Sequence, residues 1–104
     1  MSKNVDGDTF YVDFERIRKH GGYVYYWTMT DWLKPVSQGY LSNQSYYQGD
    51  CKLFRGKTLT EYYFMDQMGR GTRKVWNLTE RQKQWMFPPP NSPGESILKS
   101  VCNR

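Results

Sequence analysis

The sequence predicts an α+β fold: an antiparallel β-sheet of about five to six strands with a C-terminal helix packed on one face and tied to the sheet by a disulfide. Three observations predict it. Aromatic residues make up 17% of the 104-residue chain, and alanine is absent. Residues 23–32 are β-branched or aromatic almost throughout. A well-capped amphipathic segment closes the chain and carries one of its two cysteines.

The length suits a single domain, residues 1–104, and is too short for two independent cores. Hydrophobic content is 38%, low for a globular chain, so nine tyrosines and four tryptophans must supply the missing apolar area. The lack of alanine argues against a helical bundle. The net charge is +5, and the basic residues are scattered, among them Arg16, Arg18 and Lys19, then Lys52, Arg55 and Lys57, then Arg70, Arg73 and Lys74, then Arg81 and Lys83. Without a continuous basic run, this pattern reads as solvating charge and not as a dedicated nucleic-acid or membrane stripe. No apolar stretch approaches the roughly 18 residues that mark a membrane span. Met1-Ser2-Lys3-Asn4 shows no signal peptide, and the expectation is a mature chain with an added Met.

Each element follows from local chemistry. Residues 8–12 read as a short strand after a polar lead-in at 4–8. Asp13 caps one helical turn, which Gly21-Gly22 ends. In the strand 23–32, Tyr23, Tyr25, Trp27 and Met29 share one face, and Val24, Tyr26, Thr28 and Thr30 share the other. The first set is assigned to the core. Residues 34–39 form a turn, and the polar stretch 41–47 reads as an edge strand. Alternation along 51–64 breaks near Gly56, which marks either a bulge in one long strand, the preferred reading, or a hairpin turn at Arg55-Gly56-Lys57. Met68-Gly69-Arg70-Gly71 is a turn, and 72–76 is a further edge strand. Thr79-Glu80-Arg81-Gln82 has the form of a capping box. Pro88-Pro89-Pro90 is a rigid connector. Ser92 as N-cap, Pro93 at the first helical position and Glu95 three after the cap start a helix over 93–102. Its apolar side carries Ile97, Leu98, Val101 and Cys102.

Cys102 lies on that apolar side, and Cys51 opens the long strand, so both point at one core if the helix packs on the sheet. Cross-linking a loop of this length stabilises by about 4 kcal/mol in the chain-entropy model. A helix of about ten residues is marginal alone, so a covalent pin is useful. Two buried free thiols of a cytosolic protein are the other reading.

Motifs for chemistry are sparse. His20 is a lone loop histidine, and no further His or Cys builds a zinc site. Asp6-Gly7-Asp8 lacks the later ligands of a calcium loop. Gly69-x-Gly71 lacks the context of a phosphate loop. Asn43-Gln44-Ser45 and Asn77-Leu78-Thr79 match the glycosylation sequon, a triplet common by chance. No catalytic residue, metal site or cofactor is expected. Basic and aromatic residues interleave over 70–76 and 81–85. Tyr26, Arg70, Arg73 and Trp76 are the candidate binding surface, whereas Trp85 is read as a plug between sheet and helix.

Asp50-Cys51, Tyr63, Met68-Gly69-x-Gly71, Trp85 with Pro88-Pro89-Pro90-Asn91-Ser92, and Ile97-Leu98-Lys99-x-Val101-Cys102 resemble the surface-adhesin protein E family of bacteria. Tyr25-Tyr26-Trp27 and Phe10-Tyr11-Val12-Asp13 are also similar, so the likeness covers roughly residues 9–102. The resemblance implies an exported, periplasmic or surface protein with an antiparallel sheet, a C-terminal helix and a Cys51–Cys102 disulfide. It implies protein ligands in host matrix or serum, and a homodimer among the assemblies. No lipid-attachment cysteine stands near Met1, and no host-binding motif transfers. Two functions follow as expectations. The first is a non-enzymatic exported binding protein. The second, disfavoured for nucleic acid by the dispersed charge, is a nucleic-acid or glycan module using exposed rings and basic side chains.

Overall fold

The computed structural model describes residues 2, 3 and 8–104. Met1 and residues 4–7 lie outside the described residues, and with them most of the polar lead-in and Asp6-Gly7 of the acidic motif. The strands are β1 (Ser2–Lys3), β2 (Thr9–Val12), β3 (Arg18–His20), β4 (Tyr23–Asp31), β5 (Ser42–Asp50), β6 (Arg55–Phe64) and β7 (Arg73–Asn77), followed by helix α1 (Pro93–Cys102). They form one antiparallel sheet in the order β1-β2-β4-β5-β6-β7. β2 pairs with Thr28–Asp31 and β3 with Tyr23–Tyr25 on the same edge of β4, so the two short strands share a row. Six rows result, with α1 on one face.

Between β2 and β3 the backbone makes a 3-10 turn, Phe14–Arg16. The Asp13 carboxylate caps it, accepting from the Glu15 amide at 3.1 Å and from Arg16 Nε at 2.6 Å. The turn stops at Arg16 and does not run on to Gly21-Gly22. Those glycines instead join β3 to β4, with φ of 60° and 82°. Paired left-handed residues match the twist of a tight hairpin, and glycine adopts them without a Cβ penalty. His20 therefore ends a strand and is exposed.

β5 is a central strand and not an edge. Two of its buried polar residues are serines. Ser42 and Ser45 are 0% and 2% exposed. Ser42 Oγ donates to the Asp66 carbonyl at 2.6 Å and accepts from the Gly69 amide at 3.0 Å. Polarity in this stretch signals close packing, since a short hydroxyl with two partners costs little to bury.

The β5–β6 hairpin corrects both readings at Gly56. The turn occupies residues 51–54, immediately before Arg55-Gly56-Lys57, so Cys51 stands in the turn and not at the start of a strand. β6 is indeed long and bulged, but the register shift lies where Tyr46 faces Thr60 and Tyr47 faces Thr58, leaving Leu59 as the extra residue. Asp50 folds the turn: Oδ1 accepts from the Lys52 and Leu53 amides, each at 3.2 Å, and Oδ2 from Arg55 Nε at 3.0 Å. Burial pushes this carboxyl up. The Leu53 amide, the Arg55 guanidinium and the Lys52 amide outweigh it, and hold the carboxyl below its usual range.

The core lies on the face opposite to the one expected. Tyr23, Tyr25, Trp27 and Met29 do not form it. Val24 and Tyr26, 2% and 5% exposed, pack with Leu98 and Val101 of α1. Both faces of β4 are aromatic, so hydrophobicity cannot choose between them. Close approach of the helix chooses. Val24 pairs with Gly49 and Gly49 with Gly56, which gives three small residues in line across three strands. A Cβ on Gly49 would stand 2.9 Å from Val24 Cγ1 and 3.0 Å from Leu98 Cδ1.

At its start α1 is capped by Ser92 Oγ, which accepts from the Glu95 amide at 3.1 Å, with Pro93 in the first turn. The Glu95 carboxylate accepts from Asn91, at 3.1 Å, one residue before the usual partner, because the Ser92 amide already donates to the Pro89 carbonyl. At its end, Cys102 is disulfide-bonded to Cys51 with Cα atoms 5.6 Å apart, so the helix is tied to the β5–β6 turn.

Two outcomes follow. Gly49→Ala overpacks the seam and lowers stability by about 1–3 kcal/mol in urea unfolding, whereas Gly94→Ala, whose Cβ meets only ordinary contacts at 3.7 and 3.8 Å, does not. A carboxyl depressed in the folded state stabilises above its unfolded pKa, about 3.9, and that contribution is lost as pH falls through the folded value. Asp50→Asn should therefore flatten the acid limb of stability against pH. Parallel limbs for the two proteins would show that the Asp50 turn does not contribute.

Candidate functional site

The face of the sheet away from α1 carries a ladder of rings. Period-two alternation puts Tyr23, Tyr25 and Trp27 of β4 on it, and the register brings Tyr46 of β5 and Tyr62 of β6 beside them. Trp27 lies between the two tyrosines, 4.8 Å from the Tyr46 ring and 5.6 Å from the Tyr62 ring. Tyr25 stacks on Tyr46 at 6.2 Å. All of these rings are half-buried.

Cations lie on the rings. The Arg16 guanidinium is 5.7 Å from the Trp27 ring and Arg73 is 5.0 Å from Tyr62. Arg16 is placed by its ion pair with Asp13, and Arg73 by pairing of β7 with Phe64. Such contacts hold long side chains over apolar surface while their charge stays available.

The ladder has two bounded ends. At one, the 3-10 turn Gln67–Gly69 packs over β4 and β5, and the Met68 amide donates to Asp31 Oδ1 at 2.6 Å. At the other, Trp85 stacks on Tyr23 at 5.7 Å, with Arg55 and Lys57 at 4.3 and 4.5 Å from its ring. Trp85 therefore does not plug the gap between sheet and helix. The Gly56–Met86 bridge turns the chain along the edge of β6 and sets Trp85 on the ladder side. Between the ends, beside Trp27, is a cleft of about 190 Å³ lined by Tyr11, Asp13, Arg16, Met29 and Gln44.

The four expected surface residues do not form one patch. Tyr26 is buried under α1, because its parity with Val24 places it on the helix side. Arg70 is exposed in the turn before β7. Arg73 and Trp76, three apart on β7, project to opposite faces. Trp76 is 46% exposed and pairs with Lys74 Nζ at 5.6 Å. Beside it Tyr63 stacks on Trp32 at 6.3 Å and donates to Glu61 Oε2 at 2.7 Å. Burial and the Glu61 carboxylate push the Tyr63 phenol well above its ordinary pKa.

Sequence reasoning missed Trp27, Tyr46, Tyr62 and Arg16. Their signal was present: Gly49 and Gly56 fall in register with Val24, which marks the opposite side as the one a helix approaches. Among the described residues, no group of three or more His, Cys, Asp or Glu is arranged to hold a metal ion. No helix among them is long and apolar enough to cross a membrane.

The sequence model for surface-adhesin protein E matches residues 1–103. The chain belongs to the surface-adhesin protein E family. Three solved structures of Haemophilus influenzae protein E share its fold. One crystal form superposes with a TM-score of 0.69 at 16% identity, over 96% of this chain and 82% of that one. Another gives 0.69 at 16%, over 97% and 80%. Protein E from a non-typeable strain gives 0.62 at 16%, over 97% and 71%. No curated protein matches the sequence. Membership in this surface-adhesin family marks the chain as an adhesin-like surface protein, and the shared fold includes the sheet and its C-terminal helix.

Proposed function

We propose that this chain is a non-enzymatic, exported binding protein that recognises protein ligands, such as those of a host matrix, through the ring-and-cation face. One observation carries the reading: Trp27, Tyr46 and Tyr62 form a stacked, half-buried group with Arg16 and Arg73 on it, on the side of the sheet that α1 leaves open. Tryptophan, tyrosine and arginine are enriched in binding hot spots, the two aromatics because they bury much area at a low entropy cost and arginine through its planar fork of donors. The family's adhesin character supports the same reading. The chemistry supports a binder over an enzyme, since both cysteines are spent in the disulfide and His20 stands exposed at the end of β3.

The cation–ring pairs also suit an acidic glycan or single-stranded nucleic acid, which would stack on the rings and pair with the arginines. Salt separates the two readings. Counterion release makes nucleic-acid affinity fall steeply with ionic strength, whereas a ring-centred protein contact holds at moderate salt.

The test is surface plasmon resonance against a panel of matrix and serum proteins at low and moderate salt, with Trp27→Ala and Arg73→Ala beside the wild type. Saturable binding that persists with salt and weakens at least tenfold in Trp27→Ala is expected. Absence of binding across the panel, or equal binding by Trp27→Ala, would overturn the proposal.

A further inference from the structure

The helix side of the sheet holds a second feature, independent of the ring face. Where the proline connector approaches the first turn of α1, a cleft of about 390 Å³ opens between connector, helix and sheet. Its walls are largely apolar and include Phe10, Tyr47, Phe87, Pro88 and Ile97. Met86 and Phe87 at this cleft are 70% and 65% exposed, an unusual cost for a surface with no use. The volume is within the range of about 300–1,000 Å³ typical of small-molecule sites.

One fully buried polar group in this cleft is unanswered. Tyr26 is 5% exposed, and its hydroxyl lies 3.7 Å from where a Cβ of Gly56 would stand, on the same cleft lining. The ring is fixed by Tyr47 at 5.5 Å. Among the described residues the hydroxyl has no hydrogen-bond partner, and a buried donor left unmade is costly. Ser92, also in the lining, is already satisfied: its Oγ donates to the Pro89 carbonyl at 2.7 Å and accepts from the Glu95 amide. Lys57 is the charged residue among the described lining, and its ammonium is turned away to Trp85. The cleft thus presents largely apolar walls with half-buried hydroxyls at Thr28, Thr30 and Thr58, one fully buried donor at Tyr26, and a lone cation that points away.

We infer that this cleft is a binding site for a small neutral ligand with an apolar body and one hydrogen-bond acceptor, which takes the Tyr26 hydroxyl. Burial raises the phenol well above its ordinary pKa, so the group remains a donor at physiological pH. The site is distinct from the ring-and-cation face, and neither depends on the other for its ligand.

The probe is 2-octanone, a neutral chain with one carbonyl acceptor, titrated into the intact protein and followed by NMR. Saturable shifts at Phe10, Tyr26 and Ile97 are expected, with intermolecular NOEs from the chain to Ile97 and the Tyr26 ring. Tyr26→Phe keeps the shape, removes the donor, and should weaken binding about 3- to 10-fold. Leu33→Ser, outside the cleft, should bind as the wild type does. No saturable shift up to the solubility limit, or equal affinity in Tyr26→Phe, overturns the inference. Should Tyr26→Phe fail to fold, the wild-type NOEs decide: present at Tyr26 and Ile97 they support the site, absent they overturn it.

Discussion

The seam between α1 and the strip Val24–Gly49–Gly56 governs the rest of the molecule. A helix can approach a sheet closely only where the strands present small side chains, and this strip lines up three of them across β4, β5 and β6. Leu98 and Val101 then become almost fully buried, each worth about 1.5–3 kcal/mol. That is little for a ten-residue helix, which loses backbone entropy at every position. The disulfide from Cys102 to the β5–β6 turn keeps the helix near its seam whether or not packing alone would hold it. The Asp50 turn is part of the same device, since it fixes the backbone on which Cys51 stands.

Docking on one side decides what the other side can do. With α1 spent on the Val24 side, Tyr23, Tyr25 and Trp27 of β4 face away and find partners in Tyr46, Tyr62, Trp85 and the flanking Arg16. They are half-buried and not buried, which leaves apolar and cationic surface together on a rigid support. The same docking creates the cleft under the proline connector, because the chain must cross from the edge of β6, at Met86, to the start of the helix. Both candidate surfaces thus derive from one packing choice.

Much of this was legible in the residues. Strands at Thr9–Val12, Tyr23–Asp31 and Arg73–Asn77 follow from β-branched and aromatic runs, and α1 from Ser92, Pro93 and its apolar spacing. The two cysteines and the family likeness indicated the disulfide. The errors share a cause: local patterns carry no information about which face a distant element covers. Tyr26 and Trp27 are equally good strand residues, and only the alignment of Gly49 and Gly56 with Val24 separates them. Likewise Ser42 looks like an edge residue until the turn at Asp66–Gly69 supplies its cover. The turn at Cys51 was hidden because Asp50 makes it with a side chain, without the Gly or Pro that usually announces one.

The central claim is that α1 stays on its seam because it is covalently pinned there. Native-state hydrogen exchange on the oxidised protein and on Cys51→Ser/Cys102→Ser tests it most directly. The account predicts that amides of α1 in the double variant lose protection well before those of β4 and β5, with global stability lower by about 4 kcal/mol. Protection of α1 that remains equal to that of the central strands without the disulfide would contradict it.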